Sequence, residues 1–507
     1  RLESLHRNPH WVYTLQDAVF YEKAYYEPNL ELLLNCSCQD AEMDGDRIAS
    51  VTGWQLTTET YHTVHAKVFA DCSGDSILAP LTGAAYRVGR EAASEFGETI
   101  APEVADKRTM GMSILFMARE YDTPQPFEPP AWAYRFEDCD DLPFGEGGHK
   151  NFRFGYWWVE LGGEHDSIHD TEELRHELQR IALGVWDHLK NYCKHRDEVA
   201  NYALEWLQYL PGKRESRRYE GDHILTENDI MAEGRFDDTV AYGGWTMDDH
   251  HPAGFWSVRT GEPATIWHPC PSPYGIPYRI LYSRNVDNLM FAGRNVSASH
   301  AAMSSTRVMA TCAVMGQAVG TAAAIAVRDG IKPREVGGHM HELQQTLLRD
   351  DCYLPWVQQE MSLLTMGATL EATQGDPEPV RDGFARQVGE DSHAWEAHPG
   401  DAITYTFEAP VDVASVTLTL DSDLSKRIAP PSKGARLNAL SAIPPQMPKV
   451  YRIEGLVDGN WKVLHHEADG HQRFVRISVN RRLAGVRFAL EETWGAEATR
   501  VYAFYVD

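Results

Sequence analysis

Eight cysteines occur in 507 residues, yet no Cys-x-x-Cys pair and no recognised zinc spacing links Cys36, Cys38, Cys72, Cys139, Cys193, Cys270, Cys312 and Cys352. They read as buried reduced thiols, and no metal site is expected. Cys36 and Cys38 would share one face of an extended strand and pack together. Basic residues are also scarce: 47 Lys and Arg face 74 Asp and Glu, a net charge of −27. Such a surface repels nucleic-acid phosphates and anionic lipid, so nucleic acid is not an expected partner. No G-x-G-x-x-G stretch is present, and with it the usual cradle for a dinucleotide diphosphate is missing. No leader or transit pattern is visible, and the chain begins at Arg1, which leaves cytoplasmic and periplasmic locations open. Internal repeats and low-complexity segments are absent as well.

The apolar fraction of 43% and the charged fraction of 24% are those of an ordinary globular protein. The length points to two to four domains. From Val308 to Val327 there are twenty residues without a charge, long enough to span a bilayer. The run carries Thr311, Gln317 and Thr321 and is otherwise rich in Ala and Gly, so a tightly packed buried helix is expected rather than a membrane span. Gly316 and Gly320 on one face would let another backbone approach, and Gly330 would cap the end.

Leu30–Leu34 and Ile48–Leu56 read as strands around an Asp44-Gly45-Asp46 turn. Ala66–Asp71 reads as a strand running into Ser73-Gly74-Asp75 and a short helix capped by Asp75 or Ser76. After a proline-rich break (Pro124, Pro126, Pro129, Pro130), Phe152–Leu161 reads as a strand. A helix then follows with Asp170 and Glu173 as a capping box. Its apolar residues Leu174, Leu178, Ile181, Val185, Leu189 and Tyr192 keep helical spacing. Beyond Gly375-Asp376-Pro377-Glu378-Pro379 the pattern alternates, as in Ile403–Phe407, Val416–Leu420 and Val501–Val506, which predicts a β-sandwich.

Three blocks and a short fourth carry a resemblance. The first is Ala66-Lys-Val-Phe-Ala-Asp-Cys-Ser-Gly74-Asp75, continued by Leu81-Thr-Gly-Ala-Ala-Tyr-Arg-Val-Gly-Arg90-Glu91. The second is Arg214-Glu215-Ser216-Arg217-Arg218, then Gly221-Asp222 and Leu225-Thr226-Glu227-Asn228-Asp229. The third runs from Asn288 through Gly293-Arg294 to His300, then Ser305-Thr306-Arg307, Gly316-Gln317 and Gly320. Asp350-Asp351-Cys352-Tyr353-Leu354-Pro355 follows. In this order they resemble the FAD-dependent oxidoreductases common in bacterial polysaccharide-degrading gene sets, glutathione-reductase-like flavoproteins of Rossmann type. Cys72-Ser73 stands where the family has Ala-Thr. The likeness covers roughly residues 1 to 360, about two-thirds of the chain. It implies an FAD cofactor and a small-molecule substrate. Because the family carries G-x-G-x-x-G near its start, it also implies a diphosphate-binding segment upstream of Arg1.

The resemblance puts Ser73, Gly74, Asp75, Gly293, Arg294, Ser304, Ser305 and Arg307 at the cofactor. Glycine removes the Cβ that would keep a flat ring off the backbone, and the helix after Gly293 would aim its N-terminus at electron-rich atoms. Flavin accepts the hydride, so the protein has only to place the donor and take a proton. His250, His251 and His300 are the candidate bases, since histidine titrates near neutrality. The alternative is that any of the 22 histidines is a surface or core residue. Arg214 and Arg217 could clamp an anionic group, or form a salt-bridged turn. Tyr274, Tyr278 and Arg279 read as a loop with aromatic faces for a sugar, or as a wedge between domains.

The expected architecture is α/β. A Rossmann-like FAD-binding domain, N-terminally incomplete, spans 1–122 and returns at 285–372. It is interrupted by an α+β substrate domain at 123–284 and followed by a β-sandwich at 380–507. The expected activity is FAD-dependent oxidation of a small polar substrate, such as a carbohydrate or related alcohol. The alternative is a flavin-free carbohydrate-binding or scaffold protein that retains the fold. A homo-oligomer is compatible with the sequence.

Overall fold

The structure, a computed structural model, describes residues 2–7, 13–149, 151–426 and 442–507. The chain forms two compact units. One comprises Leu34–Leu347 with Cys352–Trp356, and the other Arg1–Leu33 with Leu348–Asp351 and Val357–Asp507.

In the first unit the strand Phe69–Asp71 lies parallel to Leu289–Phe291, with Leu289 opposite Phe69 and Phe291 opposite Asp71. Among the described residues this is the one parallel strand pair, the α/β feature that the sequence implied. Gly74 and Gly293 both follow the carboxyl edge of this pair, where open α/β sheets form their crevice. The helix Leu78–Thr82 that follows is not capped by Asp75 or Ser76. Asp71, at the strand end, accepts from Ser73 N and Leu78 N at 2.9 and 3.0 Å, and Ser73 Oγ accepts from Ile77 N at 3.2 Å.

Residues 112–264 supply a separate core in which the helix Thr171–Asp187 buries Leu174, Leu178, Ile181 and Val185 against Met112, Phe116, Trp158 and Phe255. This core begins at Met112, upstream of the boundary at 123. The expected strand at Phe152–Leu161 shrinks to Glu160–Leu161, paired with Met112–Ser113. Asp170 makes no side-chain cap; its carboxylate accepts instead from Asp166 N at 3.1 Å. Leu30–Leu34 is unpaired and mostly exposed, and the strand begins at Cys36 after Asn35 turns at φ 54°. Cys36–Asp44 then pairs with Arg47–Gln55.

The helix Met309–Asp329 ends at Gly330 as expected, with φ 67°. By length and composition it is apolar enough to cross a membrane. It is not packed all round. Thr311, Met315, Ala318, Ala322 and Ile325 are buried, whereas Met309, Ala313, Gln317 and Gly320 are exposed, and a Cβ on Gly316 or Gly320 would meet nothing within 4 Å. The small residues therefore admit no second backbone among the described residues.

The second unit holds a seven-stranded antiparallel sheet. Its strands Ala402–Leu420 and Phe474–Thr493 are long and bulged. The two alternating stretches 403–407 and 416–420 are parts of one strand. Bulges let such strands bend over a shared core and form a sandwich. That core includes Trp395, Tyr405, Leu418, Phe488 and Phe504. The sheet begins earlier than the proline-rich stretch near 376, because Thr369–Ala372 already pairs with Ile403–Thr406. At the other end of the chain, His6 of this unit stacks on His471 with ring centroids 3.9 Å apart.

Candidate functional site

At the edge of the parallel pair, Asp71 is buried and holds the turn together: its Oδ2 also accepts from the Tyr219 hydroxyl at 2.6 Å. Gly74 adopts φ 76°, and a Cβ there would sit 2.8 Å from Nε of Arg294. The close approach at this glycine is therefore made by a guanidinium. Arg294 donates to Gly74 O, to Asp75 Oδ1 at 2.7 Å and to Ser216 Oγ at 3.3 Å. Burial raises the Asp75 carboxyl pKa, but Arg294 and Lys213 outweigh it and hold the group ionised. Gly293 adopts φ 123° beside Asn295, whose Oδ1 is buried without a partner among the described residues. A backbone without Cβ next to a spare buried acceptor, with Cys72 and Ser73 exposed at the same edge, fits a flat polar cofactor.

Behind this edge lies a buried charged network. Arg218 donates to Glu215 Oε1 at 2.7 Å and to Glu91 Oε1 at 2.8 Å. Glu215 Oε2 meets His300 Nδ1 at 2.8 Å and Met110 N at 2.8 Å, while His300 Nε2 meets Asp249 Oδ1 at 3.1 Å. Burial opposes a charge on His300, but Glu215 and Asp249 prevail and raise its pKa to about 10. Burial likewise opposes ionisation of Asp249, and His300 prevails to bring it to about 2. His300 is thus an imidazolium donating from both nitrogens, which corrects the expectation that it titrates near neutrality as a base.

A second arm continues from the first. His250 Nδ1 lies 2.6 Å from Glu160 Oε2, and Arg214 Nη1 lies 3.2 Å from the same oxygen. His250 Nε2 is 3.7 Å from Asp248 Oδ1, beyond hydrogen-bond reach. Burial raises the Glu160 carboxyl pKa, but Arg214 and His250 lower it further, so Glu160 stays ionised. Arg307 donates to Asp248 O at 2.9 Å, and burial beside Arg214 brings its guanidinium down to about 10. Glu160 Oε1 and Arg307 Nε are buried without partners among the described residues.

Other nominated residues stand apart. His251 Nδ1 accepts from Ala253 N at 3.2 Å and Nε2 meets Glu262 at 2.8 Å, so both nitrogens are engaged away from the network. Tyr274 and Tyr278 are buried, with hydroxyls committed to Ser305 Oγ at 2.6 Å and Pro333 O at 2.7 Å, which corrects their reading as a sugar-binding loop. Arg279 pairs with Asp238 at 3.0 Å. Ser304 and Ser305 are buried with hydroxyls bonded to Ala301 O and Trp245 O, each at 2.6 Å, and have no free face for a cofactor. Arg214 is spent on Glu160, Gly111 O and Trp157 O. Arg217 donates to Asp75 O at 3.2 Å and lines an open cleft of about 710 Å³ with Tyr86, Arg108 and His165.

Asp71, Glu91 and Glu215 lie inside the family-like motifs without a local mark of function, and nothing local marks Glu160. Spacing along the chain gives the cysteines no metal signal, whereas Cys139 and Cys193 converge with His149 and His188.

No curated protein sequence matches the chain. Among solved structures, a chitosan-binding module of a chitosanase/glucanase from Paenibacillus sp. IK-5 is similar at 14% identity, covering 28% of this chain and 97% of that one, with a TM-score of 0.21. The family 32 carbohydrate-binding module of Streptococcus pneumoniae EndoD gives 13% identity, 28% and 95% coverage and a TM-score of 0.22. Neither likeness is close enough to assign a ligand. The family model described as FAD dependent oxidoreductase matches residues 6–347, most of the chain, and the protein belongs to that family.

Proposed function

We propose that this flavin-dependent oxidoreductase oxidises a small, polar, hydroxyl-bearing donor, a carbohydrate or related alcohol, with His250 as the base. FAD, when bound, accepts the hydride from the donor carbon. The backbone at Ser73 and Gly293 with Asn295 would hold the ring system, and Arg294 with Asp75 would fix the shape of that edge.

The observation that carries the reading is the 2.6 Å contact between Glu160 and His250 Nδ1. An ionised carboxylate keeps the proton on Nδ1 and leaves the lone pair on Nε2, the arrangement that prepares an imidazole to take a hydroxyl proton. His300, already cationic, serves instead as fixed positive charge. The spare acceptor on Glu160 and spare donor on Arg307 match a hydroxyl-rich substrate, because buried polar atoms require partners.

The test is anaerobic mixing of the flavin-loaded protein with a panel of sugars and polyols, following loss of the oxidised flavin spectrum. Reduction by at least one such donor, greatly slowed in His250→Ala with flavin still bound, is expected. Reduction at an unchanged rate in His250→Ala removes His250 from the mechanism.

A further inference from the structure

Away from the charged network, four side chains meet inside the 112–264 core. Cys139 Sγ lies 3.5 Å from Nε2 of His149, 3.5 Å from Nε2 of His188 and 4.0 Å from Cys193 Sγ. Cys193 Sγ lies 3.3 Å from Nε2 of His149, and all four ligand atoms fall within 4.8 Å of one another. His149, His188 and Cys193 are buried. We propose that Cys139, His149, His188 and Cys193 form a closed tetrahedral site for one zinc ion, which ties the 136–149 loop to the end of the helix Thr171–Asp187.

The distances argue for a metal rather than for chance packing. Zinc bonds of roughly 2.3 Å to sulfur and 2.0–2.1 Å to nitrogen, set at tetrahedral angles, give edges of about 3.8 Å between sulfurs and about 3.6 Å between sulfur and nitrogen. The four observed edges lie close to those values. A disulfide would require the two sulfurs, now 4.0 Å apart, to close to about 2.05 Å. Two thiols hydrogen-bonded to imidazoles would satisfy some of these contacts, but thiols are weak donors and give no reason for four-way convergence.

The surroundings prepare the ligands. His188 Nδ1 lies 3.0 Å from the Phe136 carbonyl, so it carries the proton and leaves the lone pair on Nε2 facing the cluster. The helix does not end regularly: His188–Tyr192 forms a π-turn in which Cys193 N bonds to His188 O at 2.7 Å. That extra residue brings His188 and Cys193, five apart in sequence, to one point, and π-turns recur at functional sites. Binding would release two thiol protons to solvent, and a dication with two thiolates and two neutral imidazoles adds no net charge to the core. All four positions are filled by protein, which makes the site structural, and two thiolates with two imidazoles favour zinc over harder cations.

The test uses the full chain, purified without chelator, with metal measured by inductively coupled plasma mass spectrometry. One zinc per chain is expected, with Cys139 and Cys193 unreactive to a thiol reagent until a strong chelator is added. Cys139→Ser and Cys193→Ser should each lose most of the zinc. If those variants do not fold, exchange of the wild-type protein with Co2+ decides, since tetrahedral thiolate-bound cobalt has a distinctive visible spectrum. A chain two hydrogens lighter with a Cys139–Cys193 disulfide would overturn the proposal. So would metal-free protein whose two thiols stay freely reactive after incubation with equimolar Zn2+.

Discussion

Glu160 accepts a hydrogen bond from His250 Nδ1 at 2.6 Å, although the two residues are 90 positions apart and both are buried. The carboxylate is itself held by Arg214, so the imidazole is fixed in place and in tautomer.

Replacing His250 by Ala should slow donor-driven flavin reduction by about a hundredfold or more, with the oxidised flavin spectrum little changed. Glu160→Gln should slow the same step less, because the imidazole remains but loses the partner that fixes its tautomer. Single-turnover reduction of the two variants, compared with wild type, measures both effects. A larger loss in Glu160→Gln than in His250→Ala would count against the assignment.

Stability should depend on pH through His300. Its pKa rises from 6.5 to about 10, so its stabilising contribution is whole below pH 6.5 and is lost as pH climbs through about 10. Asp249 falls from 3.8 to about 2, so its contribution is whole above pH 3.8 and is lost as pH drops through about 2. Between pH 3.8 and 6.5 both are complete. Denaturant unfolding should show the first unit weakening as pH is raised from about 6 to about 10, and weakening less in His300→Gln. Equal alkaline losses in both proteins would show that His300 is not the group responsible.

Gly74→Ala should disturb the edge proposed to hold the cofactor. The new Cβ would require φ 76° from an L-residue and would lie 2.8 Å from Arg294 Nε. Left-handed strain of about 1–3 kcal/mol is expected, together with release of Arg294 from Asp75. Thermal unfolding and flavin content of the purified variant read the two effects. Full flavin content at wild-type stability would contradict the geometry.

Cutting the chain after Thr373 should not give a clean separation. Thr369–Ala372 is a strand of the second unit's sheet, and Leu370 sits in its core. The truncated chain would carry an unpaired strand with an exposed leucine, a template for aggregation. Size-exclusion chromatography should show more aggregate than in a chain cut before Val357. A monodisperse product after Thr373 would mean that the strand contributes little.

The elements that could be read from sequence were those whose signal is local. Leu174, Leu178, Ile181 and Val185 announce a helix face, and the alternation at 403–407 and 416–420 announces a strand. Gly74 and Gly293 were legible because turns after buried strands need them. The capping pattern at Asp170 does not reveal that the carboxylate bonds backward to Asp166 N. The rings of Tyr274 and Tyr278 do not announce their burial, because an aromatic ring with a polar tip suits a sugar and a buried hydrogen bond equally well. Glu160, Glu215 and the Cys139–His188 convergence join segments far apart in the chain, and no spacing rule reaches that far.

The charged network also constrains the order in which the chain can fold. His300 bonds to Glu91 through its backbone and to Glu215 through its ring, across separations of 209 and 85 residues. Sealing any of these groups from water before its counter-charge arrives is costly. Docking of the helix His300–Thr306 therefore belongs among the last events, after the segments bearing Glu91, Glu215 and Asp249 have assembled. The network then acts as a late lock: its amides should exchange with solvent only when the whole unit opens, and early protection of the His300 amide in pulse-labelling would show the lock closing sooner.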